Sequence, residues 1–188
     1  MRELSLHILD LVQNSIEAGA LQVILEIIED TKVSDTMTIR VTDDGRGMDE
    51  ATRKTAFDPF VTTRATCRVG LGLSLIDMST KRCGGYVTID SAPGRGTAVE
   101  ALYKHSHLDR QPLGNIVETV KTIVIANPDL AFRYCHTVNN NTFSFATQEI
   151  TGILGNISLT HPDVLVWLHG YLTHGLMNLY GGVQYENN

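Results

Sequence analysis

The 188-residue sequence lacks a disulfide pattern, a long uncharged apolar run and an excess of basic residues. Its three cysteines, Cys67, Cys83 and Cys135, are odd in number and far apart, which excludes a disulfide framework and favours a reducing cytoplasm. No uncharged apolar stretch approaches the roughly 20 residues that span a bilayer, and no basic N-terminal region precedes an apolar run, so we expect neither a membrane span nor a signal peptide. The net charge of −6 argues against a nucleic acid as the main ligand.

The composition that is present suits a folded protein, because 43% of the residues are hydrophobic and 19% are charged. Charge is spread unevenly along the chain. Residues 1–104 hold 12 Lys+Arg and 15 Asp+Glu, whereas residues 105–188 hold 3 and 6 together with six of the seven histidines. We therefore expect a domain over residues 1–104 and a small α+β region over residues 105–188.

Hydrophobic periodicity predicts both helices and strands. In the first part, the predicted elements are a helix over 2–18, strands at Gln22–Glu29 and Thr36–Thr42, a short helix over 49–56, a loop over 57–69, a helix at Gly70–Arg82, and strands at Tyr86–Ser91 and Thr97–Tyr103. In the second part, they are a helix at Leu113–Ala126, a hairpin of Leu130–Val138 and Thr142–Ala146, a short helix from Thr147, and a helix from Pro162 towards Thr173. The short links between strands favour an α+β fold, with a mostly antiparallel sheet and helices on one face.

Two segments carry polar side chains suited to catalysis or to ligand binding. Asp10 and Asn14 are four residues apart on the first helix and therefore share a face. A carboxylate there can orient or deprotonate a water molecule, and an asparagine carbonyl is a ligand for a hard cation such as magnesium. Asp43 follows a strand directly, in the turn Asp43–Gly47, where glycines allow close approach of a ligand. A polar helix stripe and a tight acidic turn are the structural alternatives.

Two further segments suit the binding of phosphate. The loop after Phe57 places two hydroxyls and a cation, Thr62, Thr63 and Arg64, just beyond two aromatic residues, as in a lid that reaches a phosphate. The glycines of the GLGLS segment, residues 70–74, open a helix, so backbone N–H groups and the helix dipole can face an anion. A packed loop is the alternative for the first segment, and two glycines alone are weak evidence for the second.

In this order and spacing, the four segments resemble the N box, the first glycine box, the F box and the second glycine box of the GHKL ATPase superfamily of gyrase, Hsp90, histidine kinases and MutL. The sequence DLVQNSIEAGA resembles the MutL N box, with Asp10 where that family has its catalytic glutamate. The sequences FDPFVTTR, VGLGLSLI and APGRGT resemble the histidine-kinase ATP domain and its short lid. The resemblance covers residues 1–104 and implies a Bergerat-type two-layer α/β sandwich that binds ATP and magnesium.

The resemblance also implies roles for single residues. Asp10 would be catalytic, Asn14 would ligate magnesium, Asp43 would bind adenine and Thr97 would help to hold the base. The other residues expected to contact the nucleotide are Gly45, Gly47, Met48, Phe57, Thr62, Thr63, Arg64, Gly70, Leu71, Gly72 and Leu73. Because aspartate is one methylene shorter than glutamate, Asp10 would reach a fixed catalytic position less well, which would slow hydrolysis.

The segment SHLDRQPL, which contains His107, resembles the histidine-kinase H box that accepts phosphate. Kinases place this box before the ATP domain on a helical hairpin, whereas here it follows that domain and precedes a single helix. We therefore favour a surface linker with helix-capping residues over a phosphate acceptor.

The first hypothesis for the function is a cytoplasmic protein that binds magnesium-ATP and hydrolyses it slowly, so that lid closure regulates a partner. The alternatives are a kinase of the histidine-kinase or anti-sigma type, which transfers the γ-phosphate to a partner, and a non-catalytic nucleotide sensor. Mismatch repair of the MutL type is disfavoured by the short chain and its sparse cations. We expect ATP and ADP as ligands and a protein partner at the C-terminal region, but neither nucleic acid nor membrane; a homodimer is left open.

Overall fold

The computed structural model describes residues 3–59, 71–155 and 157–181. The predicted lid therefore lies mostly outside the described residues. Within them, the elements in chain order are α1 (Leu4–Glu17), β1 (Gln22–Asp30), β2 (Thr36–Asp43), α2 (Glu50–Thr55), α3 (Leu71–Arg82), β3 (Tyr86–Ser91), β4 (Thr97–Lys104), α4 (Ile116–Ala126), β5 (Ala131–Val138), β6 (Asn141–Ala146), α5 (Thr147–Leu154) and α6 (Pro162–Leu179).

The strands form one mixed sheet in the order β3-β4-β2-β1-β5-β6. Each neighbouring pair is antiparallel except β1 and β5, which run parallel with Gln22 opposite Ala131. The buried residues of β1 and β2 alternate with more exposed ones, so one face of the sheet carries the helices and the other is open. This arrangement confirms the predicted α+β fold, with a mostly antiparallel sheet and helices on one face.

The first helix, α1, has the apolar face that its sequence predicts. Leu4, Ile8, Leu11 and Val12 are buried at helical spacing against the core. The helix is followed by Gly19 at φ +78°, a left-handed conformation that favours glycine and turns the chain towards β1. The helix thus lies across the sheet, close to the carboxyl end of β2.

The strands of the C-terminal region extend the same sheet, because β5 pairs with β1 and β6 pairs with β5. Two helices in this region differ in length from their predictions. Helix α4 begins after Gly114, at φ +81°, with the side chain of Asn115 accepting the N–H of Glu118 as a cap. Helix α6 continues past Thr173 to Leu179, because Leu172 and later leucines prolong its buried face.

A buried carboxylate joins the C-terminal region to β1. One oxygen of Glu29 lies 2.8 Å from Nε2 of His136 and also accepts the hydroxyl of Tyr180, while its other oxygen lies 2.9 Å from Nε2 of His105. The hydroxyl of Tyr134 in turn lies 2.7 Å from Nδ1 of His136. Burial alone would raise the pKa of Glu29, but the hydrogen bonds and charge of His136 and the hydrogen bonds of Tyr180 and His105 together lower it to about 2.

Glu29 should therefore make the free energy of unfolding depend on pH in the acid range. The pKa falls from 4.5 to about 2 on folding, so the stabilisation is complete above about pH 4.5 and is lost as the pH falls towards 2. The expected loss is roughly 3 kcal/mol. Urea denaturation at a series of pH values should show this loss in the parent protein and little of it in Glu29→Gln. Glu50→Gln, on the exposed α2, is the control and should keep the parent's pH dependence; the same profile in Glu29→Gln would contradict the assignment.

Candidate functional site

The carboxylate of Asp43, at the end of β2, is held by three different elements. Its Oδ2 accepts the hydroxyl of Ser15 on α1 at 2.7 Å. Its Oδ1 accepts the backbone N–H of Gly45 at 2.9 Å and that of Thr97, the first residue of β4, at 3.2 Å. A carboxylate has about four acceptor positions, so the described residues fill three of them and fix the orientation of the group. Asp43 is only half-buried, so an acceptor position can face a ligand.

The glycines after Asp43 are required by close packing between two turns. Gly47 has φ +69°, and a Cβ there would lie 2.0 Å from the carbonyl oxygen of Ala92. Gly96, in the turn between β3 and β4, has φ +76°, and its Cβ would lie 1.9 Å from the carbonyl oxygen of Asp43. Gly45 approaches α1 in the same way, since its Cβ would lie 2.9 Å from that of Ala18. No side chain fits at these contacts, so the turns form a compact wall beside Asp43.

The start of α3 lies against the polar face of α1. A Cβ at Gly72 would be 3.6 Å from Cβ of Asp10, 3.8 Å from its Oδ2 and 3.8 Å from Nδ2 of Asn14. The structure therefore brings together the predicted catalytic residue, the predicted magnesium ligand and the second glycine box. Asn14 immediately precedes Ser15 in α1, so the helix connects this group to the carboxylate of Asp43.

Thr97 and Met48 meet at a serine that the sequence interpretation missed. The hydroxyl of Ser91, the last residue of β3, donates to the carbonyl of Gly96 at 2.9 Å and accepts the N–H of Met48 at 2.8 Å. It lies 3.0 Å from the hydroxyl of Thr97. Because the single proton of Ser91 goes to Gly96, Thr97 is the donor in that pair, which leaves the lone pairs of Thr97 as acceptors.

Ser15 is the second residue at the candidate site to which the motif comparison gave no role. A hydroxyl among the apolar residues of one helix face is a signal that it has a specific partner, and that partner is Asp43. Ser91 has no comparable signal, because a polar residue at the end of a strand is ordinary.

The remaining predicted residues divide into two groups. Phe57 and Leu73 are half-buried near the two ends of the segment that the structure leaves out, and Leu71 begins α3. Thr62, Thr63, Arg64 and Gly70 lie outside the described residues, so their contacts with a phosphate stay a prediction.

The sequence can be compared with known families at this point. The family model of histidine kinase-, DNA gyrase B- and HSP90-like ATPases matches residues 2–107. The chain belongs to this family. The match contains each of the residues that surround Asp43 and Asn14, and it confirms the GHKL superfamily expected from the motifs. None of the helices in the described part of the GHKL chain is both long and apolar enough to cross a lipid bilayer.

One relative is a protein of Shewanella frigidimarina (strain NCIMB 400) that carries a sensor-protein name. It is 36% identical over 104 residues, which are 54% of this chain and 16% of that protein, so the chain spans a small part of its relative.

Two solved structures share the fold. One is the N-terminal domain of a DNA repair protein, with 15% identity and a TM-score of 0.55 over 83% of this chain and 58% of the other. The second is the Aquifex aeolicus MutL ATPase domain complexed with ADP, with 16% identity and a TM-score of 0.50 over 82% and 69%. At these identities, the comparison supports the GHKL fold and leaves the activity to be argued from the site.

The packing of the two turns can be tested with a matched pair of glycine substitutions. Gly47 and Gly94 both have positive φ, but a Cβ at Gly94 would meet nothing within 4 Å. Alanine at either position adopts a left-handed conformation at a cost of about 1–2 kcal/mol. Because only Gly47→Ala also meets the Ala92 carbonyl, it should lower the free energy of unfolding by about 2 kcal/mol more than Gly94→Ala. Equal losses in chemical denaturation would show that the turns are not packed as described.

Proposed function

We propose that this GHKL chain binds magnesium-ATP in the site formed by α1, the turn after β2, the start of β4 and the start of α3. The observation that carries the proposal is the carboxylate of Asp43, which Ser15, Gly45 and Thr97 hold in one orientation. A fixed carboxylate beside glycine turns suits the exocyclic amine of adenine, which is a hydrogen-bond donor. The ADP complex of the MutL domain, which has the same fold, supports a nucleotide as the ligand.

The phosphates would lie at the other end of the site, near Gly72, Asp10 and Asn14. The N-terminus of α3 supplies backbone N–H groups and the positive end of a helix dipole, both of which stabilise an anion. The carbonyl oxygen of Asn14 is of the type that magnesium prefers, and a bound magnesium ion would neutralise charge on the phosphates. These donors fit the expected cofactor.

Asp10 is the group best placed to act on an attacking water molecule. Its carboxylate lies beside Gly72 at the start of α3, one helical turn from Asn14, and it is half-buried. In phosphoryl transfer, most of the rate comes from positioning and charge neutralisation, so an oriented water and a bound cation support slow hydrolysis. We infer that the chain hydrolyses ATP. The predicted lid and the region over 105–188 would then regulate a protein partner according to the nucleotide that is bound.

His107 lies in the segment that follows β4, which begins at the site with Thr97 and ends at Lys104. Its Nδ1 accepts the backbone N–H of Asp109 at 3.1 Å, as in a capped turn. We therefore favour hydrolysis over transfer of phosphate to His107 within one chain. Transfer to a partner protein stays an alternative, which phosphate labelling distinguishes from hydrolysis.

The first test of this function is ATP binding by Asp43→Asn. Asparagine keeps the shape of the side chain, but it replaces an acceptor oxygen by a donor and so cannot accept all the bonds of the carboxylate. We expect ATP affinity, measured by calorimetry, to weaken by roughly 1–3 kcal/mol. Asp129→Asn removes an exposed carboxylate from the turn before β5 and should bind ATP normally. Unchanged affinity in Asp43→Asn would remove the central part of the proposal.

The second test separates hydrolysis from transfer and sensing. Asp10→Asn should abolish the release of phosphate from γ-labelled ATP while leaving ATP affinity nearly intact, because an amide cannot take a proton from water. His107→Ala is the control and should keep the parent's rate. An acid-labile label on His107 in the parent protein would favour the kinase hypothesis. A parent protein that yields neither labelled protein nor free phosphate would favour the sensor hypothesis.

A further inference from the structure

A pocket of about 510 Å³ lies between α1, α3 and the segment that follows β4. Sites for small molecules commonly have volumes of roughly 300–1,000 Å³, so this pocket is large enough to hold a metabolite. Its lining begins one turn beyond Gly72 on α3 and one turn before Asp10 on α1, and it includes none of the residues that we assign to the nucleotide. The pocket is therefore a candidate site for a second, separate ligand.

The floor of this pocket carries a hydrogen-bond acceptor that lacks a donor. His7 lines the pocket and is only 2% exposed. Its Nε2 lies 3.3 Å from Oε1 of Gln111, which also accepts the hydroxyl of Ser79 at 3.3 Å. Because an amide oxygen can only accept, Nε2 of His7 carries the proton and Nδ1 keeps its lone pair. In the part of the chain that the structure describes, this buried Nδ1 has no hydrogen-bond partner.

The buried imidazole of His7 selects the kind of group that it can bind. Burial lowers the pKa of His7, so the ring is neutral near pH 7 and its Nδ1 is an acceptor. Buried polar atoms without a partner are rare in folded proteins, and one that lies at the floor of a pocket indicates a ligand atom as its partner. Because an unpaired charge is costly to bury, the matching ligand group is a neutral donor, such as an amide, an indole or a hydroxyl.

The mouth of the pocket carries one positive and one negative charge. Arg82, the last residue of α3, and Asp109, in the segment after β4, both line the pocket with exposed side chains. Within the described ranges, neither residue forms an ion pair, so the two charges do not neutralise each other directly. The guanidinium of arginine matches a carboxylate, and the carboxylate of aspartate accepts from an ammonium group. The mouth therefore suits a zwitterion.

The wall of the pocket is apolar. Leu75 and Met78 line it on α3, and Met78 is 52% exposed although it is a large hydrophobic residue. A methionine side chain adapts its shape to the group that packs against it. The wall therefore suits the hydrocarbon or aromatic part of a ligand that reaches from the charged mouth to the polar floor.

We propose that this pocket binds a free α-amino acid whose side chain ends in a neutral hydrogen-bond donor, such as glutamine or tryptophan. The carboxylate of the ligand pairs with Arg82 and its ammonium group with Asp109. The side chain packs against Leu75 and Met78 and donates to Nδ1 of His7. A simple carboxylic acid leaves Asp109 unused and a simple amine leaves Arg82 unused, whereas a zwitterion engages both.

The test is calorimetry with the nucleotide-free protein and each of the twenty amino acids at up to about 10 mM. Glutamine, asparagine or tryptophan should bind. The matched amino acid without a neutral donor, which is glutamate, aspartate or phenylalanine respectively, should bind roughly ten-fold or more weakly, because it leaves the buried acceptor unpaired. The amide-bearing ligand without its amino group or without its carboxylate should bind more weakly as well.

Two variants at the mouth test the assignment of the charges. Arg82→Gln and Asp109→Asn should each weaken binding of the amino acid roughly ten-fold. Both positions are exposed, so neither variant is expected to disturb the core. The matched controls are Arg53→Gln on α2 and Asp129→Asn before β5, which remove the same charges elsewhere and should bind as the parent does.

All four variants should keep the parent's ATP affinity, and the amino-acid titrations contain no nucleotide. A failure of this proposal is therefore separate from a failure of the nucleotide site. The proposal is overturned if none of the twenty amino acids binds, or if binding survives unchanged in both Arg82→Gln and Asp109→Asn. Equal affinity for the amino acids with and without the neutral donor would also overturn it.

Discussion

The carboxylate of Asp43 is the group on which the organisation of the site depends. The carboxylate accepts hydrogen bonds simultaneously from a helix through Ser15, from its own turn through Gly45 and from a neighbouring strand through Thr97. Without it, donors from three elements would have to find other partners in a half-buried place, and leaving such donors unpaired is costly. The same bonds orient the group before any ligand arrives, so little further ordering is needed when a ligand binds.

Helix α1 sets the distance between the two ends of the site. Asp10 and Asn14 lie one turn apart, with a rise of about 6 Å between them, and Ser15 follows at once. A helix is stiff over this length, so the spacing between the group at α3 and the carboxylate of Asp43 is nearly fixed. The glycines also help to set the spacing of the site. Gly47, Gly72 and Gly96 let neighbouring segments approach more closely than any side chain would permit.

Much of the first part could be predicted from the sequence, because its signals are local. The apolar face of α1, the alternation in Thr36–Asp43 and the cap at Asp49 each depend on neighbouring residues only, and the helices and strands follow them closely. The superfamily motifs added the prediction of which residues bind the nucleotide. The contacts of Ser91 could not be predicted in this way, since they depend on which turns meet in space. The role predicted for the lid residues outside the described ranges stays a prediction.

The C-terminal region shows the limit of local signals more clearly. Its helices and hairpin were predicted, but nothing near residues 131–138 indicates that this strand pairs with β1 in parallel. The cluster around Glu29 is equally hidden, because its members come from β1, the segment after β4, β5 and the residue after α6. Each of these residues looks like an ordinary polar side chain until the fold assembles them. A buried carboxylate with several ring partners is a property of the tertiary structure alone.

The parallel pairing of β1 with β5 also bears on how the protein is synthesised. Because Gln22 lies opposite Ala131, most of the chain must leave the ribosome before the middle strand gains its second neighbour. Until then, β1 is an open edge rich in valine, leucine and isoleucine, which is the type of segment that aggregates with other nascent chains. Pairing with β5 closes that edge, so the C-terminal half of the polypeptide protects the half that was made first from aggregation.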